Sequence, residues 1–214
     1  MVARYGFYHN NDSCVGCKAC VIACKDKNDL PLGEKYRRVF DYGGGAWETD
    51  ANGVLCPQDV FVYSVSVACM HCAAPACMAS CPVGAISKRD DGIVVIDAGT
   101  CIGCGSCVAA CPFGAPYVST ATGVAQKCDL CFDLIDAGEN PACVDACPMR
   151  CLEYGELEEM RAKHGTTDQV DPLPQEPRTE PSIVYTRSRL NPEGRLSGEI
   201  LNTPEEILSE AVRA

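Results

Sequence analysis

No stretch of this 214-residue chain is both long and apolar enough to cross a bilayer. The longest apolar stretch, Val60 to Met70, is about half of the ~20 residues a spanning helix requires, and Ser64 and Ser66 interrupt it. Basic residues are sparse as well. The chain has 18 Lys and Arg against 29 Asp and Glu, a net charge of -11 with no basic cluster, which argues against a nucleic-acid partner. The opening MVARYGFYHNNDSC has no basic segment followed by an apolar one, so no secretory signal is expected. Only three histidines occur, and no helical HExxH, Ser-His-Asp set or phosphate-binding loop is visible. The Gly43-Gly44-Gly45 run lacks a following Lys-Ser/Thr and reads as a flexible turn. With 47% apolar residues, the chain can still bury a core of one or two domains.

Cysteine, in contrast, is abundant, with 18 residues. Without a secretory signal, and in a chain well above the ~80 residues typical of disulfide scaffolds, a metal framework is preferred to disulfides. Sixteen of the 18 fall into four quartets. Cys14, Cys17, Cys20 and Cys24 read C-x2-C-x2-C-x3-C, and Cys101, Cys104, Cys107 and Cys111 repeat that pattern before Pro112. Cys69, Cys72, Cys77 and Cys81 open one gap and precede Pro82. Cys128, Cys131, Cys143 and Cys147 insert eleven residues in the middle and precede Pro148. Structural zinc would use two well-separated C-x2-C halves. Three closely spaced cysteines, then a fourth capped by Pro, are instead the ferredoxin run for a [4Fe–4S] cube.

The spacing has a physical reason. Three thiolates on one short loop wrap three irons, while backbone N–H groups remain free to point at the sulfurs. The fourth cysteine of such a run ligates the other cluster of a two-cluster ferredoxin. Only 19 residues separate Cys81 from Cys101, room for the strand pair suggested by AISKRDDGIVVID, so the second and third quartets are expected to pair. The first and fourth then form an outer pair. Sequential pairing is the alternative, disfavoured by the 44 residues between Cys24 and Cys69.

The expected fold is α+β: a duplicated ferredoxin-like fold of two nested two-cluster units with little regular secondary structure. Residues 1–55 and 112–165 form the outer unit and 56–111 the inner one; 166–214 form an extended C-terminal arm. Tyr5 to Tyr8, Val60 to Val67 and Ile93 to Ile96 read as strands. Glu156 to His164 reads as a helix stopped by Gly165. DPLPQEPRTEP is too proline-rich for regular structure. A short terminal helix is signalled by Thr203, Pro204 and Glu206, with Ile207, Leu208, Ala211 and Val212 on one face. Cys151 takes the place of Ala85 and Ala115 in the related CPVGAI and CPFGAP segments and reads as a small buried side chain. Cys56 reads as a plain loop thiol. A ligand role for either would leave a complete quartet short. His71 reads as loop filler, His9 and His164 have weaker claims still, and Arg37 and Arg38 read as solvated or locally paired.

With these motifs in hand, the chain resembles, essentially end to end, the iron–sulfur subunit of the dimethyl-sulfoxide reductase family of molybdopterin oxidoreductases. The residues that carry the likeness are RYGFYHN, GCKAC with ACKD, YRRVFDY, Trp47, KRDDGIVVID, CIGC with ACPFGAP, KCDLC, and ELEEMRAKHG with PLP beyond. In nitrate-reductase relatives a Trp replaces one ligand of the third motif and a three-iron cluster results. Here Cys104 is present, which favours four [4Fe–4S] clusters. The formate-dehydrogenase kind carries a membrane helix that this sequence lacks.

The resemblance implies an electron-transfer subunit with no catalysis of its own, bound to a molybdopterin catalytic subunit on one face and a quinol-oxidising membrane anchor on the other. Carried over by position, Cys14, Cys17, Cys20 and Cys147 hold the cluster nearest molybdenum. Cys24, Cys128, Cys131 and Cys143 hold its partner, Cys69, Cys72, Cys77 and Cys111 the next, and Cys101, Cys104, Cys107 and Cys81 the last. The resemblance also implies export with a signal-bearing catalytic subunit to the outer face of the cytoplasmic membrane; a cytoplasmic site is the alternative. A free-standing soluble polyferredoxin is the competing reading.

Overall fold

A computed structural model describes residues 4–202. In chain order, strand β1 (Tyr5–Asn10) leads to helix α1 (Ala19–Lys27) and the long strands β2 (Arg38–Thr49) and β3 (Leu55–Val67). Helix α2 (Ala76–Ala79), the hairpin β4 (Ile86–Lys88) and β5 (Val94–Ile96), and helix α3 (Ser106–Ala110) follow. Next come the hairpin β6 (Tyr117–Val118) and β7 (Ala125–Gln126), helices α4 (Phe132–Asp136) and α5 (Ala142–Asp145), strand β8 (Leu152–Glu156) and helix α6 (Leu157–His164). A 3-10 turn (Pro177–Thr179), β9 (Ile183–Thr186) and β10 (Glu199–Ile200) complete the described residues. None of these helices is long and apolar enough to cross a membrane.

Two three-stranded sheets frame the short helices. In one, β1 is central, antiparallel to β8 and parallel to β9. Its residues Phe7, Tyr8 and His9 are all buried, as expected of a strand covered on both faces. In the other, β2 lies between β3 and β10. On β3, Phe61, Tyr63, Val65 and Val67 alternate along one face and are all buried, while Val60 and Val62 face outward towards the hairpin tip. Val65 and Val67 are fully buried, each contributing about 1.5–3 kcal/mol of apolar transfer free energy. The expected strand at Val60 to Val67 is therefore the inner half of a longer one.

Several expectations need correction. Gly43-Gly44-Gly45 is no free turn but the middle of β2, where the register shifts at a bulge between Gly44 and Ala46. A Cβ on Gly44 would stand 2.5 Å from the Ser197 carbonyl oxygen, so the absence of side chains lets the segment leading into β10 lie directly on the strand. Cys56 sits in β3, not a loop. Residues 166–202 do not stand off as an extended arm. Val170, Leu173, Ile183, Val184 and Tyr185 are buried, and β9 completes the first sheet. The Pro-rich composition set the local path, while these apolar residues made burial favourable. The terminal helix expected from Thr203 onward lies outside the described residues.

Helix α6 begins at Leu157 and ends against Gly165, with Glu158 and Glu159 early and Arg161, Lys163 and His164 late. The His164 imidazole stacks on Tyr8, ring centroids 3.5 Å apart, fastening the helix to β1. Lys27 on α1 pairs with Asp133 on α4 at 2.7 Å. Arg89, beside β4, pairs with Asp136 at 2.6 Å. These pairs join segments that carry different cysteine motifs.

Candidate metal centres

Each motif repeats one local design. The residue before the second cysteine has positive φ in all four: Gly16 (66°), His71 (42°), Gly103 (68°) and Leu130 (63°). This left-handed turn is steric in origin at Gly103, where a Cβ would meet the Gly123 carbonyl oxygen at 2.1 Å. The third cysteine is then the second residue of a short helix in every case: Cys20 on α1, Cys77 on α2, Cys107 on α3 and Cys143 on α5. The fourth follows four residues later, about one helical turn on.

Three similar cavities result. One is lined by Cys14, Cys17, Cys20 and Cys147. One is lined by Cys69, Cys72, Cys77 and Cys111, and one by Cys81, Cys101, Cys104 and Cys107. In each, three thiols come from one motif and the fourth from another. Cys24, Cys128, Cys131 and Cys143 form a fourth, buried gathering, in which Cys143 and Cys131 act electrostatically on Cys24, and Cys24 on Cys128.

All 18 cysteines are free thiols. Burial pushes the thiols of Cys24 and Cys77 up to about 12, and those of Cys72 and Cys131 up to about 11. A thiolate in such surroundings needs a compensating cation, which iron supplies. Backbone N–H groups already point at sulfur: Ala85 donates to Cys81 Sγ and Ala125 to Cys101 Sγ, both at 3.3 Å, and Leu130 to Cys128 Sγ at 3.4 Å. The donor set of four thiols, an otherwise largely apolar lining and N–H groups aimed at sulfur fits a cluster.

Three residues near these thiols, Arg37, His71 and His9, escaped the sequence reading, while a fourth, Cys151, is buried as expected. Arg37, expected to be solvated or locally paired, is 2% exposed, lies 4.5 Å over the Phe7 ring and donates from Nη1 to Ser66 Oγ at 3.1 Å. Its Nε and Nη2 have no hydrogen-bond partner among the described residues. Burial opposes its charge, but Cys143, Cys20, Cys128 and Cys24 outweigh that and raise its pKa. His71 is buried too. Its Nδ1 accepts from the Val94 N–H at 3.0 Å, tying the second motif to β5, and burial, then Lys127 and Arg37, hold it well below the usual imidazole value. His9 and Cys151 both line the first cavity. The match of Cys151 with Ala85 and Ala115 was the available signal for that position. Nothing in the sequence marked Arg37 as buried.

The sequence matches the 4Fe-4S dicluster domain over residues 60–157 and a 4Fe-4S binding domain over residues 11–33. It is 46% identical over 208 residues to YnfG of Escherichia coli, a probable anaerobic dimethyl sulfoxide reductase component, covering 97% of this chain and all of the relative. It is 42% identical to the B subunit of the anaerobic dimethyl sulfoxide reductase of Haemophilus influenzae, over 95% of this chain and 99% of that one. The chain belongs to the dimethyl sulfoxide reductase iron–sulfur subunit family. A thiosulfate reductase electron transfer subunit, PhsB of Salmonella typhi, is 38% identical over 90% of this chain and 96% of its own length. Members of this family are iron–sulfur subunits of reductase complexes, and this one is a [4Fe–4S] protein with a mixed helix and strand fold.

Proposed function

We propose that this chain is the non-catalytic electron conductor of a dimethyl-sulfoxide-reductase-like complex, holding four [4Fe–4S] clusters in a duplicated ferredoxin-like arrangement. When bound, each cluster accepts and releases one electron. Cys14, Cys17, Cys20 and Cys147 hold the first cluster. Cys24, Cys128, Cys131 and Cys143 hold its neighbour, Cys69, Cys72, Cys77 and Cys111 the next, and Cys81, Cys101, Cys104 and Cys107 the last. Residues 1–55 with 112–165 form the outer two-cluster unit, and residues 56–111 the inner one.

The observation that carries this reading is a succession of thiol groups linked by shared helices and neighbouring thiols, with an exposed cysteine in the first group and in the last. Helix α1 bears Cys20, which faces the first cavity, and Cys24, which belongs to the buried gathering. In that gathering Cys128 feels the charge of Cys69, a lining residue of the next cavity. Cys77 of α2 faces that cavity, while Cys81, just beyond the helix, faces the last. At the two ends, Cys17 and Cys104 are exposed. Exposed Val15 and Ile22 flank the first end, and exposed Ile102 and Val108 the other. Interior sites shielded from water and two ends open to apolar contact suit a conductor between two partner subunits, a molybdopterin catalytic subunit and a membrane anchor.

The decisive experiment is Cys24→Ser in the iron-loaded chain, with iron and acid-labile sulfide measured; the unaltered chain should hold about sixteen of each. The substitution should damage the cluster of the fourth motif and leave the inner pair intact. Damage to the second-motif cluster instead would establish sequential pairing, and a zinc-filled, colourless protein would overturn the reading.

A further inference from the structure

The first cavity holds one thiol more than a cube can bind. Besides its four proposed ligands it is lined by Cys151 and His9. The Cys151 Sγ lies 3.4 Å from the Cys147 Sγ, closer than two thiolates on different irons of one cube. Cys14 Sγ, Cys151 Sγ and a ring nitrogen of His9 lie within 4.8 Å of one another. His9 is fully buried. Its Nδ1–H donates to Asn11 Oδ1 at 2.6 Å, its ring stands edge-on to Tyr185, and its Nε2 has no hydrogen-bond partner among the described residues. A buried imidazole and a surplus thiol thus face the same group of sulfurs.

The chain supplies its own comparison. In three motifs the fourth cysteine is followed by the same turn: Cys81 to Ala85, Cys111 to Ala115 and Cys147 to Cys151. The residue before the last position is left-handed in each, with φ of 67° at Gly84, 58° at Gly114 and 51° at Arg150. The last position is buried in each, at 2%, 5% and 4% exposure. Ala85 offers its cysteine only a backbone N–H, at 3.3 Å. Cys151 adds a side-chain donor where the other two motifs have a methyl group.

We propose that Cys151 is a hydrogen-bonding thiol of the first cluster, donating its S–H to the ligand thiolate of Cys147, with His9 beside it at the same site. This rests on the ligand set proposed above. The direction of the bond follows from coordination: a thiolate bound to iron has no proton, so within this pair Cys151 is the donor. Reduction adds negative charge to the cluster and its sulfurs. A donor to one of those sulfurs therefore favours the reduced state and raises the potential. Cys151 is a positioning residue that acts through Cys147.

The test is a potentiometric titration, followed by electron paramagnetic resonance, of the iron-loaded chain carrying Cys151→Ala, Cys151→Ser, Cys17→Ser or Cys147→Ser. Cys151→Ala recreates the side chain already present at positions 85 and 115, so the turn tolerates it. It should keep all the iron and lower the potential of one cluster, the one lost in Cys17→Ser, by threefold to tenfold in the reduction equilibrium; the upper end is about 59 mV for one electron. Cys151→Ser, which keeps a donor, should recover most of the shift. If Cys17→Ser and Cys147→Ser damage the same cluster but Cys151→Ala leaves its potential unchanged, the inference is overturned and the ligand set stands. If those two variants damage different clusters, the ligand set itself has failed. Iron loss in Cys151→Ala with retention in Cys147→Ser would make Cys151 the ligand and overturn the donor role.

Discussion

Removing the charge of Arg37 should lower two cluster potentials together. Its Nη1 reaches Ser66 Oγ at 3.1 Å, and that hydroxyl lies 3.5 Å from Cys20 Sγ, so the guanidinium is at most about 6.6 Å from a thiol of the first site. Burial raises the thiol pKa of Cys24 and Cys128, which belong to the neighbouring gathering, and the Arg37 charge partly offsets that rise. With the added electron centred in the cube at roughly 8 Å and an effective dielectric of ~20, the attraction is about 2 kcal/mol, or roughly 90 mV for one electron. Arg37→Gln should therefore lower the potentials of these two clusters by up to that amount, with a smaller fall at the second motif, whose His71 also feels Arg37, and little change at the third. Arg37→Lys, which keeps the charge but not the fork of donors, should lower them far less. Redox titration of the iron-loaded variants measures this. If Arg37→Gln retains full iron and both potentials move by less than about a third of the expected shift, the guanidinium does not tune the clusters.

Other outcomes follow from the same geometry. Gly103→Ala meets both an unfavourable φ and a backbone oxygen at 2.1 Å, so iron content should fall by about one cluster. Gly105→Ala, at φ 75° with no described atom within 4 Å of the added Cβ, should cost only about 1–2 kcal/mol of strain and keep its iron. Asp133→Asn removes the partner of Lys27, but side-chain exposures of 23% and 52% limit the loss to about 1 kcal/mol or less in denaturant unfolding. Stripping the iron with a chelator should abolish near-ultraviolet circular dichroism. Cys20, Cys69, Cys128, Cys143 and Cys147 belong to the main buried core, so the proposed metal sites and the core occupy the same place.

Much of the cluster chemistry was legible because it is local. Cysteine gaps, the Pro after Cys81, Cys111 and Cys147, and the hairpin between Ile86 and Ile96 each depend on a few consecutive residues. The β2–β3 ribbon was less legible because its glycines imitate a turn, and only the strand partner shows that they lie in a sheet. The segment after Gly165 was misread for a similar reason. Proline content describes the local path, whereas the burial of Val170 and Tyr185 depends on surfaces formed by residues far earlier in the chain.

The cofactor class, the family and the grouping of thiols on shared loops follow from the amino-acid order alone, since a loop's ligating geometry is set by its own spacing. Tertiary packing was needed to bury the Arg37 charge among thiols and to bring Cys151 and His9 together at the first site. Those are relations between segments far apart in sequence, and packing settles them because a buried charge or polar group must find its partners wherever the fold brings them.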